Sequence, residues 1–236
     1  MRYNYFKRET MKIQHILSGI VFTYLISSCS GMYDSVEPYY KEGETNFISK
    51  VDSVSTKPGK NRVQISWKVN TDPRIKNLYV TWNNGANEAT IPIDFNQLDN
   101  SRYCTVILDP VEEGNHIFYL YHTGKGDKSI STEAEAASYG DQYQASLQPR
   151  AIRSIETKNG VTTILWRTIV ENCEVAITYT NTSGQVASRA VAPSELSTVI
   201  DDAQPKSSFK YVSSYLPEKH AMDRFTVTSA ELYFPQ

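Results

Sequence analysis

Long apolar runs are scarce in this sequence. The stretch Ile16 to Ile26, "ILSGIVFTYLI", holds eleven residues, about half of the roughly 20 that a membrane-crossing helix needs. A basic excess is absent too: 24 Lys and Arg face 26 Asp and Glu, a net charge of −2. The first 28 residues hold four of those cations (Arg2, Lys7, Arg8, Lys12) and one anion, Glu9; the remainder carries 20 basic and 25 acidic residues, a charge of −5. Nucleic-acid binding needs a concentrated basic face, so nucleic acid is not an expected partner. A strong helical period is missing throughout, which leaves strands to build the core.

Groups that carry chemistry are equally sparse. Beyond the N-terminal segment the histidines are His116, His122 and His220. His116 and His122 stand six apart on one expected strand, sharing a face but about 20 Å apart at about 3.3 Å per residue, too far to ligate one metal ion. Cys104 and Cys173 follow Cys29 and fall in different halves of a repeat described below. A disulfide needs Cα atoms about 4.4–6.8 Å apart, and nothing in the sequence brings these two together, so each is expected to pack as a small apolar side chain. Asp109, Glu112 and Glu113 in "LDPVEEGN" lack the alternating oxygen ligands of a calcium loop and read as a solvated turn; "DPR" at 72–74 reads as a Pro-containing turn. No set of nucleophile, base and orienting group is legible, nor a pair of placed carboxylates. A catalytic residue, a metal and a cofactor are therefore not expected.

What is present is ordinary globular composition, 40% hydrophobic and 21% charged, which argues against disorder or a collagen-like repeat. The 236 residues suffice for one large domain or two small ones. Sixteen tyrosines favour strands and half-wet surfaces.

The N-terminus carries the most specific signal. A basic start, at Met1 or Met11, leads into the eleven-residue apolar stretch, which ends in "ISSC". An apolar region of that length fits a secretory signal peptide. An aliphatic residue, two small residues and a cysteine form a bacterial lipobox: the small residues admit the peptidase, and the Cys29 thiol receives diacylglycerol. Residues 1–28 are thus expected to be removed, leaving Cys29 as a lipid anchor in a membrane, since each buried methylene adds about 0.8 kcal/mol. Residues 29–46 read as a polar, acidic tether with Pro38 and no strand or helix period. Asp34, Glu37, Glu42 and Glu44 make the tether acidic.

After the tether, "RVQISWKV" (62–69) alternates Val63, Ile65, Trp67 and Val69 on one face, a half-buried strand. The same plan then recurs. "AIRSIETKNGVTTILW" (151–166) parallels "KVDSVSTKPGKNRVQISW" (50–67), and "VAITYTNTSG" (175–184) parallels "LYVTWNNG" (78–85). "STVIDD" (197–202) parallels "CTVILD" (104–109), and "FKYV" (209–212) parallels "FYLY" (118–121). Trp166 thereby matches Trp67, and Tyr179 matches Trp82. Two all-β sandwiches of roughly 95 residues are the simplest account, such domains typically running to about 100. They are assigned to residues 47–140 and 150–236, with the boundary in "SYGDQYQASLQPR" (138–150). A tryptophan on an early strand facing an aromatic on a late one resembles the fibronectin type III sandwich.

Alternation also assigns faces. His116, Phe118, Leu120 and His122 share the expected core side of their strand, which leaves Ile117, Tyr119 and Tyr121 outward; Trp82 goes to the core with Leu78 and Val80. Tyr119 and Tyr121, about 7 Å apart along the strand, are candidates for stacking on the C–H face of a sugar. Tyr139 and Tyr143 flank the expected joint, and clefts between domains commonly bind ligands.

The segments "GKNRVQISW", "DPRIKN", "YGDQYQASLQPR", "EEGNHIFYLYHTGKGDKSI" and "SYLPEKHAMDRF" resemble a Bacteroidota lipoprotein family, domain of unknown function 4998, over roughly residues 40–228. The resemblance implies an outer-membrane lipoprotein with fibronectin-like domains that accompanies glycan uptake systems. It brings no catalytic residues. Two departures stand out. His116 occupies the place of a core tyrosine, which puts the usual tyrosine-corner hydrogen bond in question. Gly124 occupies the place of an aspartate, which weakens any cation site in the "GKGDKS" hairpin.

The expectation is a non-catalytic lipoprotein of the outer membrane, displayed at the cell surface or facing the periplasm. It would bind polysaccharide or serve as a scaffold in an uptake complex. The alternative is a protein-interaction or adhesion module that binds no glycan.

Overall fold

The structure is a computed structural model that describes residues 47–235. Cys29 and the tether lie outside the described residues. From Phe47 onward the chain forms one compact unit, built almost wholly of antiparallel strands.

The first half contains β1 (Asp52–Pro58), β2 (Val63–Lys68), β3 (Asn77–Trp82), β4 (Asn87–Pro92), β5 (Tyr103–Leu108), β6 (Gly114–Gly124), β7 (Asp127–Lys128) and β8 (Thr132–Ser138). One sheet runs β1-β2-β5; the other runs β4-β3-β6 and continues through β8, with β7 also on β6. The second half contains β9 (Ile152–Lys158), β10 (Val161–Trp166), β11 (Cys173–Thr180), β12 (Val186–Val191), β13 (Ser197–Ile200), β14 (Ser208–Tyr215), β15 (Phe225–Thr228) and β16 (Leu232–Tyr233). Its sheets run β9-β10-β13 and β12-β11-β14-β15, with β16 also on β14. Each half therefore has strands one, two and five in one layer, and strands three, four, six and the last in the other. That is the strand order of a fibronectin type III sandwich.

Period-two alternation explains why these segments are strands with one dry face. On β2, Val63, Ile65 and Trp67 are buried; on β6, His116, Phe118, Leu120 and His122 are buried and Ile117 is exposed. Trp82 packs on Phe118 with ring centroids 5.8 Å apart. In the second core, Trp166 meets Tyr211 edge-on at 5.4 Å, and Phe209 stacks on Phe234 at 4.5 Å.

The ladder tests the internal repeat residue by residue. Val80 pairs with Leu120 and Ile177 with Tyr211, so the matches "LYVTW"–"VAITY" and "FYLY"–"FKYV" hold in space. The match "CTVILD"–"STVIDD" is one residue out. Ile65 pairs with Val106, whereas Ile164 pairs with Thr198, so the spatial counterpart of Val106 is Thr198, not Val199. A one-residue slip exchanges the two faces of a strand: Val199 points outward while Thr198 is fully buried.

Between the halves lies a short helix, α1 (Asp141–Ser146), where the sequence shows no helical period. It buries no residue completely, so it leaves no apolar stripe to read. Gly140 precedes it and supplies no side-chain cap; Glu113 does so from a distant loop. Its two carboxylate oxygens accept the Gln142 and Tyr143 amides at 2.8 and 2.6 Å, orphan donors of the first turn. Glu113 is thus a capping residue, which corrects its reading as part of a solvated turn.

The "DPR" turn has a further job. The Asp72 carboxylate receives the Ser49 amide at 3.0 Å and the Arg74 guanidinium at 2.8 and 3.0 Å, and Arg74 reaches the Phe47 carbonyl at 2.9 Å. It clasps the incoming chain to the first sandwich. Those Arg74 bonds hold the Asp72 carboxyl far below the usual carboxylate range.

Candidate functional site

The joint between the sandwiches is built from the β1–β2 turn, α1 and the 216–224 loop. Asp223 holds Arg62 in a bidentate pair, 2.6 and 3.0 Å, and also accepts the Lys60 amide at 2.7 Å. The Met222 amide donates to the Pro58 carbonyl at 2.7 Å, and Tyr139 and the β1–β2 turn exchange backbone bonds at 2.7 and 3.0 Å. These contacts require Gly59, where a Cβ would lie 2.7 Å from both Asp223 Oδ2 and Met222 Cε. Arg62 holds Asp223 ionised below the usual carboxylate range, chiefly by direct hydrogen bonding.

Tyr139 and Tyr143 belong to this joint. Their rings meet at 4.9 Å, and the Tyr143 ring meets buried Phe225 at 5.0 Å. The Tyr139 hydroxyl donates to Glu218 at 2.7 Å; burial and that carboxylate push its pKa up to about 12. Both rings are engaged with the second sandwich rather than offered as a stacking platform.

Beside the joint opens a cleft of about 650 Å³, bounded by β1, β6, β8 and the 216–224 loop and lined among others by Thr56, Asn115, Ile117, Glu135, Glu218 and His220. Glu135 stands directly across from Ile117 on the outer face of the β6–β8 pair. Thr56 donates to the Glu135 backbone carbonyl at 2.8 Å. Among the described residues the side chains of Asn115, Glu135 and His220 make no hydrogen bond, and Ile117 is 46% exposed.

Tyr119 and Tyr121 do face outward, half-buried, but they do not form a pair of free rings. Tyr121 lies across from Tyr79 on β3, rings 6.1 Å apart. The Lys128 ammonium sits 3.6 Å from the Tyr121 centroid and 4.7 Å from that of Tyr79, a cation–π contact with both. The Tyr79 hydroxyl donates to Glu88 at 2.5 Å. Tyr119 stands apart, between Thr81 and Glu133. Tyr79 was legible: it alternates with Leu78, Val80 and Trp82, so a core place for those three puts Tyr79 outside.

Two histidines, His116 and His122, are structural. The His116 Nε2 donates to the Glu112 carbonyl at 2.7 Å, and Nδ1 lies 2.9 Å from the Asn83 side chain. An imidazole thus makes the bond to the backbone upstream that a corner tyrosine makes, which answers the question the missing tyrosine raised. His122 Nδ1 donates to the Ser49 carbonyl at 2.8 Å. Gly124 also has its reason: a Cβ there would lie 1.9 Å from the Arg74 carbonyl oxygen, so an aspartate does not fit. Cys104 and Cys173 are free, one in each sandwich. Among the described residues no group of three or more His, Cys, Asp or Glu could hold a metal ion, and no helix is long and apolar enough to cross a membrane.

The strand order and the fixed joint define a tandem fibronectin type III-like protein. The chain belongs to the DUF4998 family, a domain of unknown function, whose model matches residues 29–225. No curated protein matches it in sequence. Among solved structures it is similar to the FN1–FN3 domains of chicken CNTN1, at 10% identity and a TM-score of 0.41, covering 79% of this chain and 67% of that one. A two-domain fibronectin type III segment of chicken tenascin matches at 15% identity and a TM-score of 0.33, covering 78% and 99%. The chicken interferon gamma receptor alpha chain matches at 12% identity and a TM-score of 0.33, covering 80% and 100%.

Proposed function

We propose that this protein is a non-catalytic, lipid-anchored component of the bacterial cell envelope that captures glycan for a polysaccharide uptake complex. The "ISSC" lipobox supports the anchor on Cys29, and the acidic tether supports display at the cell surface. The observation that carries the binding role is the cleft beside the joint. It combines unspent hydrogen-bonding groups (Asn115, Glu135, His220) with the apolar surface of Ile117, a mixture suited to sugar hydroxyls and C–H faces. A cleft between two bodies is a usable site only if the bodies are held in register, and Arg62–Asp223 with its backbone bonds does that.

The test is affinity electrophoresis of the detergent-solubilised full chain through gels containing a panel of polysaccharides. Retardation by at least one is expected; none by any would sink the glycan reading. A second reading, a protein-interaction module, is favoured by β12. It is an edge strand with Val186 80% exposed, and an open edge can accept a strand from a partner. Cross-linking in native membranes that yields a stoichiometric protein partner, with no glycan retention, would favour it. Protease shaving of intact cells reads the leaflet: protection would argue for the periplasmic side.

A further inference from the structure

We infer that the cleft beside the joint selects a glycan that carries no acidic groups; this rests on the glycan-capture reading above. The ionisable side chains lining the cleft are Glu135, Glu218, His116 and His220, with no lysine or arginine among the lining residues. His116 is committed to Glu112 and Asn83. Glu218 Oε1 is committed to the Tyr139 hydroxyl. The Glu135 carboxylate is left free and exposed, opposite Ile117 and two strand positions from the Asn115–Ala137 pair, on the same face.

None of the nearby cations, Lys57 and Lys60 included, lines the cleft. Arg62 is neutralised by Asp223, and the Lys60 ammonium lies over the Phe225 ring at 5.9 Å. Lys219, between Glu218 and His220 in sequence, is exposed and does not line the cleft. A free carboxylate accepts two hydroxyl donors at once, a charge-assisted arrangement that suits neighbouring hydroxyls of a neutral sugar. The Asn115 amide both donates and accepts beside it. A uronate or sulfate brought to the same place would meet like charge at contact distance with no counterion on the wall.

The experiment uses the detergent-solubilised full chain in gels containing galactomannan, mixed-linkage β-glucan, polygalacturonate or alginate. One or both neutral polymers should retard wild type, and the acidic ones should not. Glu135→Ala combined with Asn115→Ala should weaken neutral retardation at least fivefold. These two side chains make no intramolecular hydrogen bond, so folding should persist, with an unchanged urea midpoint as the check. Glu135→Lys should add retardation by polygalacturonate. Equal or stronger retardation of wild type by an acidic polymer overturns the inference and leaves glycan capture standing. Neutral retardation untouched by the double substitution overturns the cleft as the site. Silence in all four gels withdraws glycan capture and this inference together.

Discussion

The two sandwiches contain an internal control. Trp166 Nε1 donates to Thr198 Oγ1 at 2.9 Å, both side chains fully buried. Trp67 occupies the matching place, 1% exposed, yet its Nε1 finds no partner among the described residues. The ladder gives the cause: where the second sandwich has Thr198, the first has Val106. Thr198→Val should remove a net bond of about 1 kcal/mol and strand a buried donor, at about 1–3 kcal/mol. The added methyl returns about 0.8 kcal/mol, so a loss of about 1–3 kcal/mol is expected. Val106→Thr runs the other way. Val106 is half-buried against the core, so a Val→Thr change there ordinarily costs part of the hydroxyl's desolvation; here the hydroxyl meets a waiting donor, and the change should be neutral or stabilising by up to about 1 kcal/mol. Val80→Thr, on a fully buried side chain, serves as the control and should lose about 1–3 kcal/mol. Urea unfolding followed by indole N–H signals suits a chain with three tryptophans, because each sandwich reports separately. A Val106→Thr loss as large as that of Val80→Thr refutes the reasoning. So does a gain that persists when Trp67 is also changed to Phe.

Other outcomes follow from the same contacts. Burial depresses the His122 pKa below its usual 6.5, against the opposing pull of the Ser49 carbonyl and Asp72; between the folded and unfolded values the unfolded chain binds more protons. Stability should therefore fall as pH drops below about 6.5 and level off below the folded value, and His122→Leu should flatten that part of the urea-midpoint profile. Asp223→Ala removes the Arg62 pair and the Lys60 amide bond, which should loosen the joint by about 1–3 kcal/mol; limited proteolysis in the 216–224 loop should accelerate, and an unchanged rate would count against a fastened joint. Gly124→Ala forces a Cβ to within 1.9 Å of the Arg74 carbonyl and should cost about 2–3 kcal/mol, seen as a lower thermal midpoint.

The sandwich plan was legible because strands with one dry face write themselves as alternation. Val63, Ile65 and Trp67 announce β2, and Phe118 and Leu120 announce β6. The repeat was legible for the same reason, except where "CTVILD" and "STVIDD" look alike one residue out of step. Identity of letters drew them together, but pairing with β2 and β10 sets their register, and pairing lies outside the sequence. The helix α1 was hidden because it has no core face and takes its cap from Glu113, far away in the chain. The cleft was hidden because its parts come from four separate segments. Ile117 and the tyrosines had been singled out; Asn115, Glu135 and His220 carried no local pattern.

The four tyrosines singled out on the sequence show how three-dimensional context reassigns chemistry. Tyr139 and Tyr143 are closed against Phe225 and Glu218, and Tyr121 lends its face to Lys128. An aromatic ring already in contact with a cation or another ring has less to gain from stacking on a sugar, since that contact must first be broken. Groups with no partner suffer no such loss. By that argument the proposed recognition falls to Asn115, Glu135 and His220 beside exposed Ile117, while Tyr139 braces the cleft through Glu218 and Tyr119 and Tyr121 lie outside it. Tyr139→Phe separates the two roles: it breaks the bond to Glu218 without touching the groups in the cleft that lack partners. It should leave the neutral-glycan preference intact and weaken retardation by less than the Glu135→Ala, Asn115→Ala pair.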